Sequence, residues 1–320
     1  MKPLRVAVVG AGAFGRNHLR VVRDSSQAEL AGVVDIDADR AEQAGKDFGC
    51  PAFRHWRQLA GRADAAIVAV PTVAHAEVAC GLIEAGLDVL VEKPMAADIA
   101  SARSIVDAAG ARQAILQAGH LERFNPAVVG LRRILTHPLF FEIHRMNLFS
   151  PRCLDVDVVL DLMIHDIDLV LSMTGLMPEE VRAAGIHILS AKVDIAHVRL
   201  AFPGGCVANL TASRVSTERI RKLRLFQPRQ YVSIDYSRQD GAVFSVSAGN
   251  QIGFQALAVE KREPLAAQFD EFAEAVRERR QPAVSGLDGL KALEVALEVL
   301  GRIEAHAAVV EAGLAARGMT

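Results

Sequence analysis

The stretch Val6–Gly15, VAVVGAGAFG, places a short apolar run directly before a glycine-rich turn of the form GxGxxG. A segment that can form a helix, Arg16–Val22, follows the turn. In such a strand-turn-helix unit Gly10 permits the tight turn, Gly12 lets a phosphate approach the backbone, and Gly15 lets the helix pack close to the strand. The stretch therefore predicts a dinucleotide-binding unit, in which the phosphates face N–H groups at the positive end of the helix.

Asp35 follows the second apolar run, Glu29–Val34, close to the roughly 20 residues after the glycine turn at which a ribose-binding acid is expected. A carboxylate there can accept hydrogen bonds from both hydroxyls of an adenosine ribose, and it repels the 2′-phosphate of NADP. The sequence therefore predicts NAD as the cofactor, and Arg40 lies too far along the next predicted helix to change this. The alternative is an ordinary strand-turn-helix with an aspartate on the following loop.

The composition is typical of a globular protein with a substantial core, since 51% of the 320 residues are hydrophobic and 23% are charged. A chain of this length predicts two domains. The net charge of -2 gives no reason to expect a nucleic acid or an anionic membrane as a partner. No apolar run reaches the roughly 18 residues that span a bilayer, and the N-terminal residues lead directly into a strand without a signal peptide, so we expect a cytoplasmic protein.

The chain has four cysteines, Cys50, Cys80, Cys153 and Cys206, and none of them shows CxxC spacing. The spacing indicates neither a zinc site nor a disulfide framework. We therefore expect reduced, mostly structural cysteines and no bound metal.

Residues 1–121 alternate apolar strands with helices, and the last of these strands is predicted at Gln113–Gln117. This order predicts a doubly wound parallel sheet, a Rossmann domain, whose ligands bind at the carboxyl ends of the strands. Asp35, Pro71 and Lys93 each follow an apolar run and are expected at that edge of the sheet. The predicted cofactor-binding residues are Gly10, Gly12, Ala13, Phe14, Gly15, Asp35, Pro71, His75, Glu92 and Lys93.

Residues 122–320 show a different pattern. The extended segments between Phe140 and Val246, many of them with alternating apolar and polar residues, predict an α+β domain with a large open, mainly antiparallel sheet. One helix, Val156–Met173, is predicted among the strands, and two amphipathic helices, Pro264–Glu278 and Gly286–Ala315, close the chain. The last helix can pack back on the first domain.

Lys93 is the first candidate catalytic residue. It directly follows an apolar strand, with Glu92 before it and Pro94 after it to fix the turn. A lysine held near a cofactor cleft can hydrogen-bond a substrate hydroxyl and stabilise the alkoxide that develops there. The alternative is an ordinary surface lysine on a loop.

The second candidate is the octapeptide DLMIHDID, Asp161–Asp168. On an α-helix Asp161, His165 and Asp168 are spaced by four and three residues and therefore share one face. A carboxylate that orients an imidazole makes a general base suited to alcohol oxidation. One histidine and two carboxylates are only a weak indication of a zinc site. The remaining alternative is a polar helix face that pairs with neighbouring arginines.

Taken together, VVGAGAFGRNH, Asp35, the sequence VEKP at Val91–Pro94 and the Asp161/His165 pair resemble the Gfo/Idh/MocA family across essentially the whole chain. The resemblance implies a Rossmann domain followed by an α/β domain with an open sheet, and a lysine and a histidine that act on a sugar or polyol hydroxyl. By position, Lys93 and His165 take these roles and Asp161 orients the imidazole. The resemblance also implies a homodimer or homotetramer that associates through the open sheet.

A narrower resemblance lies in the segment Gly119–Pro126, GHLERFNP, and in DLMIHDIDLVL. Both are similar to members of the family that act on UDP-linked N-acetylated amino sugars. This implies oxidation of the 3-hydroxyl of UDP-N-acetylglucosamine to a 3-keto sugar nucleotide, with Arg123, Asn125 and Asp168 as substrate-binding residues. For Asn125 the alternative is a helix cap, with Pro126 in the first helical position.

Two further features allow more than one interpretation. The basic segment, defined as Arg214, Arg219, Arg221, Lys222 and Arg224, could meet a diphosphate, but a charge run is more often a solvated strand face. His18 lies shortly after the glycine turn, where it could line the nicotinamide side or be a hydrogen-bonded core histidine.

The sequence thus favours an NAD-dependent dehydrogenase that acts on a sugar nucleotide. A free-sugar or polyol dehydrogenase of the inositol type, which would not need the basic segment, is the alternative within the same class. A non-catalytic dinucleotide-binding regulator is the alternative from another class. The presence of both Lys93 and the Asp161/His165 pair argues against a regulator, which needs only the dinucleotide-binding half.

Overall fold

A computed structural model describes residues 3–149, 156–247 and 249–317. The strands are β1 (Leu4–Val9), β2 (Ala28–Val34), β3 (Ala52–Phe53), β4 (Ala65–Val68), β5 (Asp88–Glu92), β6 (Leu116–Gly119), β7 (Phe140–Leu148), β8 (Glu180–Ile186), β9 (Ile195–Ala201), β10 (Val207–Ser216), β11 (Ile220–Gln227), β12 (Gln230–Asp235), β13 (Asp240–Val246) and β14 (Ile252–Ala256). The α-helices are α1 (Ala13–Asp24), α2 (Ala38–Phe48), α3 (His75–Glu84), α4 (Ile99–Arg112), α5 (Pro126–Ile134), α6 (Ile164–Thr174), α7 (Pro264–Glu278) and α8 (Gly286–Ala315). Cys153 lies outside the described residues.

The chain forms two compact units, and the first comprises residues 1–124 and 262–293. Its six strands form a parallel sheet in the order β3-β2-β1-β4-β5-β6. The central strands β1 and β4 are almost continuously apolar because helices cover both faces of such a sheet. The predicted doubly wound sheet is therefore confirmed. Its last strand begins later than expected, at Leu116, because Gln113 adopts a left-handed conformation and ends α4.

Residues 262–293 return to the first unit, whereas the sequence analysis assigned them to a second domain that began at residue 122. The reason lies in α7, whose apolar face contributes Leu265, Phe269 and Phe272 to the same buried cluster as Leu19 of α1 and Val8 of β1. An amphipathic pattern shows that a helix buries one face, but it does not show which sheet that face covers.

The second unit comprises residues 125–261 and 294–320. Its eight strands form one sheet in the order β14-β13-β12-β11-β7-β10-β9-β8. All neighbours are antiparallel except β7 and β10, so the predicted mainly antiparallel sheet is confirmed. In β7 the residues Phe141, Ile143 and Arg145 are buried and alternate with half-exposed ones, which is the pattern of a sheet with one covered face. β14 was not among the strands expected from the sequence, because its five residues are all exposed and mark no buried face.

Candidate active site

The glycine turn of the first unit follows β1. At two of its three glycine positions, close packing leaves no room for a side chain. Gly10 has a φ of +103°, and a Cβ on it would lie 2.4 Å from the carbonyl oxygen of Ala69. A Cβ on Gly15 would lie 1.8 Å from the carbonyl oxygen of Gly10. Gly12 differs, because a Cβ there would meet no protein atom within 4 Å. The open space in front of Gly12 leaves its backbone accessible to a ligand.

Helix α1 begins directly after Gly12, and its N-terminus suits an anion. Gly12 is the N-cap and provides no capping side chain, and the first turn of α1 contains no acidic residue. The first N–H groups of a helix lack intrahelical partners and carry a partial positive charge. The turn therefore fits the pyrophosphate of a dinucleotide, the group that a strand-turn-helix of this kind binds.

A cavity of about 530 Å³ opens beside this turn within the first unit. Gly10, Gly12, Ala13 and Phe14 line it, together with Asp35 and Pro71 from the ends of neighbouring strands. Of the remaining predicted cofactor residues, Gly15, His75, Glu92 and Lys93 do not line this cavity. The structure thus brings together the residues predicted to bind the pyrophosphate and the adenosine ribose.

The Asp35 carboxylate is buried and held by the backbone around it. One of its oxygens accepts a hydrogen bond from the Ala11 N–H at 2.8 Å, and the other accepts one from the Asp37 N–H at 2.9 Å. The expectation that Arg40 lies too far away is wrong, because its Nε atom lies 3.2 Å from Asp35. Asp37, two residues after Asp35, is the N-cap of α2. Arg40 therefore lies in the first turn of the helix, close to the end of β2.

Arg54 was missed by the sequence analysis, although it lines the same cavity. It directly follows β3, so it stands at the carboxyl end of a parallel strand, where ligands bind. Because β3 is only two residues long, no extended pattern of side chains marks Arg54 as the residue after a strand. Arg40 and Arg54 thus both line the cavity that Asp35 lines.

The loop that carries Lys93 follows β5. Glu92 is buried, and one of its carboxylate oxygens accepts the backbone N–H of Lys93 at 3.2 Å. His75 lies on the other side of the loop, with Nδ1 3.0 Å from the Pro94 carbonyl oxygen and Nε2 2.9 Å from that of Val70. Burial lowers the pKa of His75, while these backbone contacts oppose the change. Both nitrogens of His75 are thus engaged by the backbone.

In the second unit the octapeptide DLMIHDID begins in a π-helical turn and continues into α6. The π-helical turn covers Val159–Met163, so the spacing of an ideal α-helix does not apply between Asp161 and His165. His165 and Asp168 are buried, and Asp161 is half-buried. Turns of this kind occur frequently at functional sites.

Asp166, which the sequence analysis did not select, forms a two-point ion pair with Arg145 of β7. Arg145 Nε and one of its terminal nitrogens donate to the two carboxylate oxygens at 2.8 Å and 2.7 Å. Both side chains are almost completely buried, and the guanidinium also lies over the ring of Tyr236. The position of Arg145 on the covered face of β7 is the signal that could have identified this pair.

Arg123 and Asn125 both have structural contacts that hold their own units together. Arg123 is buried, 3.4 Å from an oxygen of Asp288, and it donates a hydrogen bond to the Ala283 carbonyl. The Oδ1 atom of Asn125 caps α5 by accepting the Ala127 N–H at 3.1 Å. Its Nδ2 atom donates to the backbone carbonyl of Tyr236. Their role in substrate binding stays a prediction.

The basic segment does not form one cationic surface. Arg214 is buried beside Asp194, at 3.1 Å, and donates to the Val193 carbonyl. Arg224 points to the open face of the sheet, where it pairs with Glu142 at 2.9 Å. Because these cations lie on different faces and have acidic partners, the arrangement favours structural ion pairs over a diphosphate site.

Comparison with known proteins places this geometry in a family. The model of the oxidoreductase family with an NAD-binding Rossmann fold matches residues 4–120, and that of the GFO/IDH/MocA C-terminal domain matches residues 147–230. UDP-N-acetylglucosamine 3-dehydrogenase from Acidithiobacillus ferrooxidans is 36% identical over 94% of this chain and 98% of its own length. The chain belongs to the Gfo/Idh/MocA family. It is therefore an oxidoreductase of an NAD-binding family.

Solved structures of the family show the same fold. The crystal structure of the Acidithiobacillus ferrooxidans enzyme matches with a TM-score of 0.90 and 35% identity, over 95% of this chain and 99% of that one. In sequence, inositol 2-dehydrogenase 4 from Saccharopolyspora erythraea is a more distant relative, at 32% identity over 58% of this chain and 57% of its own length.

Among the helices of the described residues, none has the length and apolar character that a membrane span requires.

Proposed function

We propose that this protein is an NAD-dependent dehydrogenase that oxidises the 3-hydroxyl of UDP-N-acetylglucosamine to the 3-keto sugar nucleotide. The observation that carries the proposal is the 36% identity to an enzyme named for that reaction, which extends over 94% of this chain. The GHLERFNP and DLMIHDIDLVL segments, on which the narrower resemblance rests, lie within this length. In sequence, the inositol dehydrogenases align with only 54–58% of this chain.

Asp35 supports NAD over NADP. Its buried carboxylate at the end of β2 can still accept hydrogen bonds from ribose hydroxyls, since each oxygen has more than one acceptor site. A 2′-phosphate would stand beside this negative charge. Arg40 and Arg54 offset part of that repulsion, so we expect a preference for NAD with residual use of NADP rather than complete exclusion.

We propose that His165 takes the proton of the substrate hydroxyl while Asp161 orients its imidazole ring. Lys93 stabilises the oxyanion as the carbon-oxygen double bond forms. A bound nicotinamide would supply the hydride acceptor for the carbon that is oxidised. The reverse assignment, with Lys93 as the base and His165 as the hydrogen-bond donor, uses the same residues.

Arg123, Asn125 and Asp168 remain proposed substrate-binding residues. The buried carboxylate of Asp168 follows His165 by one helical turn, which supports its assignment. For Arg123 and Asn125 the internal contacts favour an indirect contribution, in which each residue fixes the segment next to α5.

The experiment that tests the proposal follows the absorbance of reduced nicotinamide after purified protein is mixed with NAD. UDP-N-acetylglucosamine, free N-acetylglucosamine and myo-inositol are compared, with Lys93→Met as the control variant. We expect NADH with the nucleotide sugar alone and about a thousandfold lower rate in Lys93→Met. Equal turnover of myo-inositol would instead support a polyol dehydrogenase, and binding of NAD without turnover of any substrate would support a regulator.

We also propose a homodimer or homotetramer that associates through the open face of the second sheet. An aromatic row crosses this face on five neighbouring strands, with ring centroids 4.8–5.7 Å apart. Its members are Phe140, Phe226, Tyr231, Phe244 and Phe254. Light scattering is expected to give a smaller mass for Phe244→Lys than for the unmodified protein. As expected from the sequence, we also propose that the protein is located in the cytoplasm.

A further inference from the structure

His18 is a buried histidine of α1 for which the proposed reaction has no use. Its side chain is 1% exposed, and its Nε2 atom lies 2.8 Å from an oxygen of the Glu92 carboxylate. The edge of its ring packs against Phe14 of the glycine turn, with centroids 5.3 Å apart. The contact joins the helix that follows the glycine turn to the end of β5.

The Glu92 carboxylate occupies a fitted space at the end of β5. Its second oxygen accepts the backbone N–H of Lys93 at 3.2 Å. On the neighbouring strand β6, a Cβ on Gly119 would lie 2.9 Å from the carboxylate and from the Glu92 Cα. The glycine thus leaves room for the carboxylate, which links His18 on one side to the Lys93 backbone on the other.

The hydrogen-bond partners fix which nitrogen of His18 carries the proton. Within the described part of the chain, His18 Nδ1 has no hydrogen-bond partner. A proton on Nδ1 would therefore be a buried donor without an acceptor, which costs more free energy than a buried nitrogen lone pair without a donor. The arrangement favours a His18 that carries its proton on Nε2 and donates it to the Glu92 carboxylate.

The other flank of Lys93 is held in a comparable way. His75 contacts the carbonyl oxygen of Pro94 through Nδ1 and that of Val70 through Nε2. One buried imidazole thus lies on each side of the lysine, one acting on the residue before it and one on the residue after it. The backbone at Lys93 is fixed at both ends.

From these contacts we propose that His18 is a positioning residue for Lys93 and acts through Glu92. This role rests on the proposed function, in which Lys93 stabilises the oxyanion. His18 holds the Glu92 carboxylate against the Lys93 N–H. It thereby limits the directions in which the lysine side chain can extend from the backbone. A donor misplaced by about 1 Å loses much of its effect on the transition state, whereas substrate binding through other residues continues.

Three variants test this role. For His18→Leu we expect kcat to fall about 10- to 100-fold while both KM values change less than about threefold. His18→Gln places an amide donor near the position of Nε2, so it should recover kcat to within about fivefold of the unmodified protein. Leu19→Ala, in the same helix and fully buried, is the matched control and should lower the thermal midpoint without changing kcat.

A spectroscopic readout tests the contact without using activity. In protein labelled with ¹⁵N-histidine, the resonance absent from His18→Gln identifies His18, and it should show the proton on Nε2. Glu92→Gln should shift this N–H signal more than any other histidine signal. A proton on Nδ1, an unshifted signal, or a kcat loss in Leu19→Ala equal to that in His18→Leu would each overturn the proposal.

The kinetic outcomes also separate this role from the proposed function. Full activity in Lys93→Met would overturn the proposed function and the positioning role with it. Loss of activity in Lys93→Met together with full activity in His18→Leu would overturn the positioning role alone.

Discussion

The glycine turn of the first unit and the α6 region of the second unit each contain candidate functional residues, but these residues are held in different ways. At the turn the backbone itself offers the binding groups, since Gly12 leaves open space and the first N–H groups of α1 lack a capping side chain. In the α6 region the main feature is a buried pair of charges. Arg145 forms a two-point ion pair with Asp166, the residue after His165. The first region depends on the absence of side chains, and the second depends on paired ones.

This difference determines what a substitution does in each region. In the turn, adding one methyl group changes either folding or ligand access, depending on what the new Cβ meets. Near α6, removing one partner of an ion pair leaves the other partner charged and buried. The three predictions below test this contrast, in order of decreasing effect on stability.

The largest effect is expected for Gly15→Ala. Its new Cβ would fall 1.8 Å from a backbone oxygen, so strand and helix must separate. We expect a loss of about 4 kcal/mol or more in the free energy of unfolding, measured by urea denaturation. Gly12→Ala is the matched variant, because its Cβ meets no protein atom and its φ of -67° suits alanine.

Gly12→Ala should therefore lose no more than about 1 kcal/mol of stability, the cost of replacing glycine by alanine at an N-cap. It should weaken NAD binding about tenfold or more, equivalent to roughly 1.4 kcal/mol, because the methyl group occupies the path of the pyrophosphate. Titration calorimetry measures this binding. If both variants unfolded equally, or if Gly12→Ala bound NAD normally, the turn would not act through its backbone as described.

The next effect concerns the charged pairs of the second unit. Arg145→Met should reduce the free energy of unfolding by about 3 kcal/mol, because it removes the Arg145 cation from its buried ion pair with Asp166. Arg224→Met removes a comparable pair on the exposed face and should cost less than about 1 kcal/mol. Urea denaturation measures both values.

A double variant, Arg145→Met with Asp166→Leu, distinguishes the ion pair from simple packing. It removes both charges together, so it should recover part of the stability that Arg145→Met loses. If the double variant instead lost the sum of the two separate effects, the loss in Arg145→Met would come from packing and not from the ion pair.

The same contrast explains how far the sequence could be interpreted. The turn was predictable because glycine spacing directly encodes a backbone geometry, and Asp35 follows from strand order. Arg40 was misjudged because its distance from Asp35 depends on where α2 begins, which Asp37 decides. Asp166 was missed because its partner Arg145 lies 21 residues earlier on another element. The π-helical turn before α6 leaves no mark in the spacing of apolar residues.

The smallest of the three effects extends the role of buried charge to a loop of the second unit. Asp194 is fully buried and accepts hydrogen bonds from the N–H groups of Ile188, Leu189 and Ser190. Burial alone would raise the pKa of Asp194, but these hydrogen bonds outweigh it and lower the pKa from 3.8 to about 2. The carboxylate therefore stabilises the folded state above pH 4, and this contribution disappears as the pH falls towards 2.

The shift corresponds to about 2 kcal/mol of stability at neutral pH. Asp194→Asn cannot ionise, so the difference in unfolding free energy between it and the unmodified protein should shrink as the pH falls from 4 to 2. Urea denaturation at several pH values measures this difference, in which the titration of the other carboxylates cancels. A constant difference across that range would mean that the pKa of Asp194 is the same in the folded and unfolded states, and the contrast between backbone and buried charge would then be limited to the α6 region.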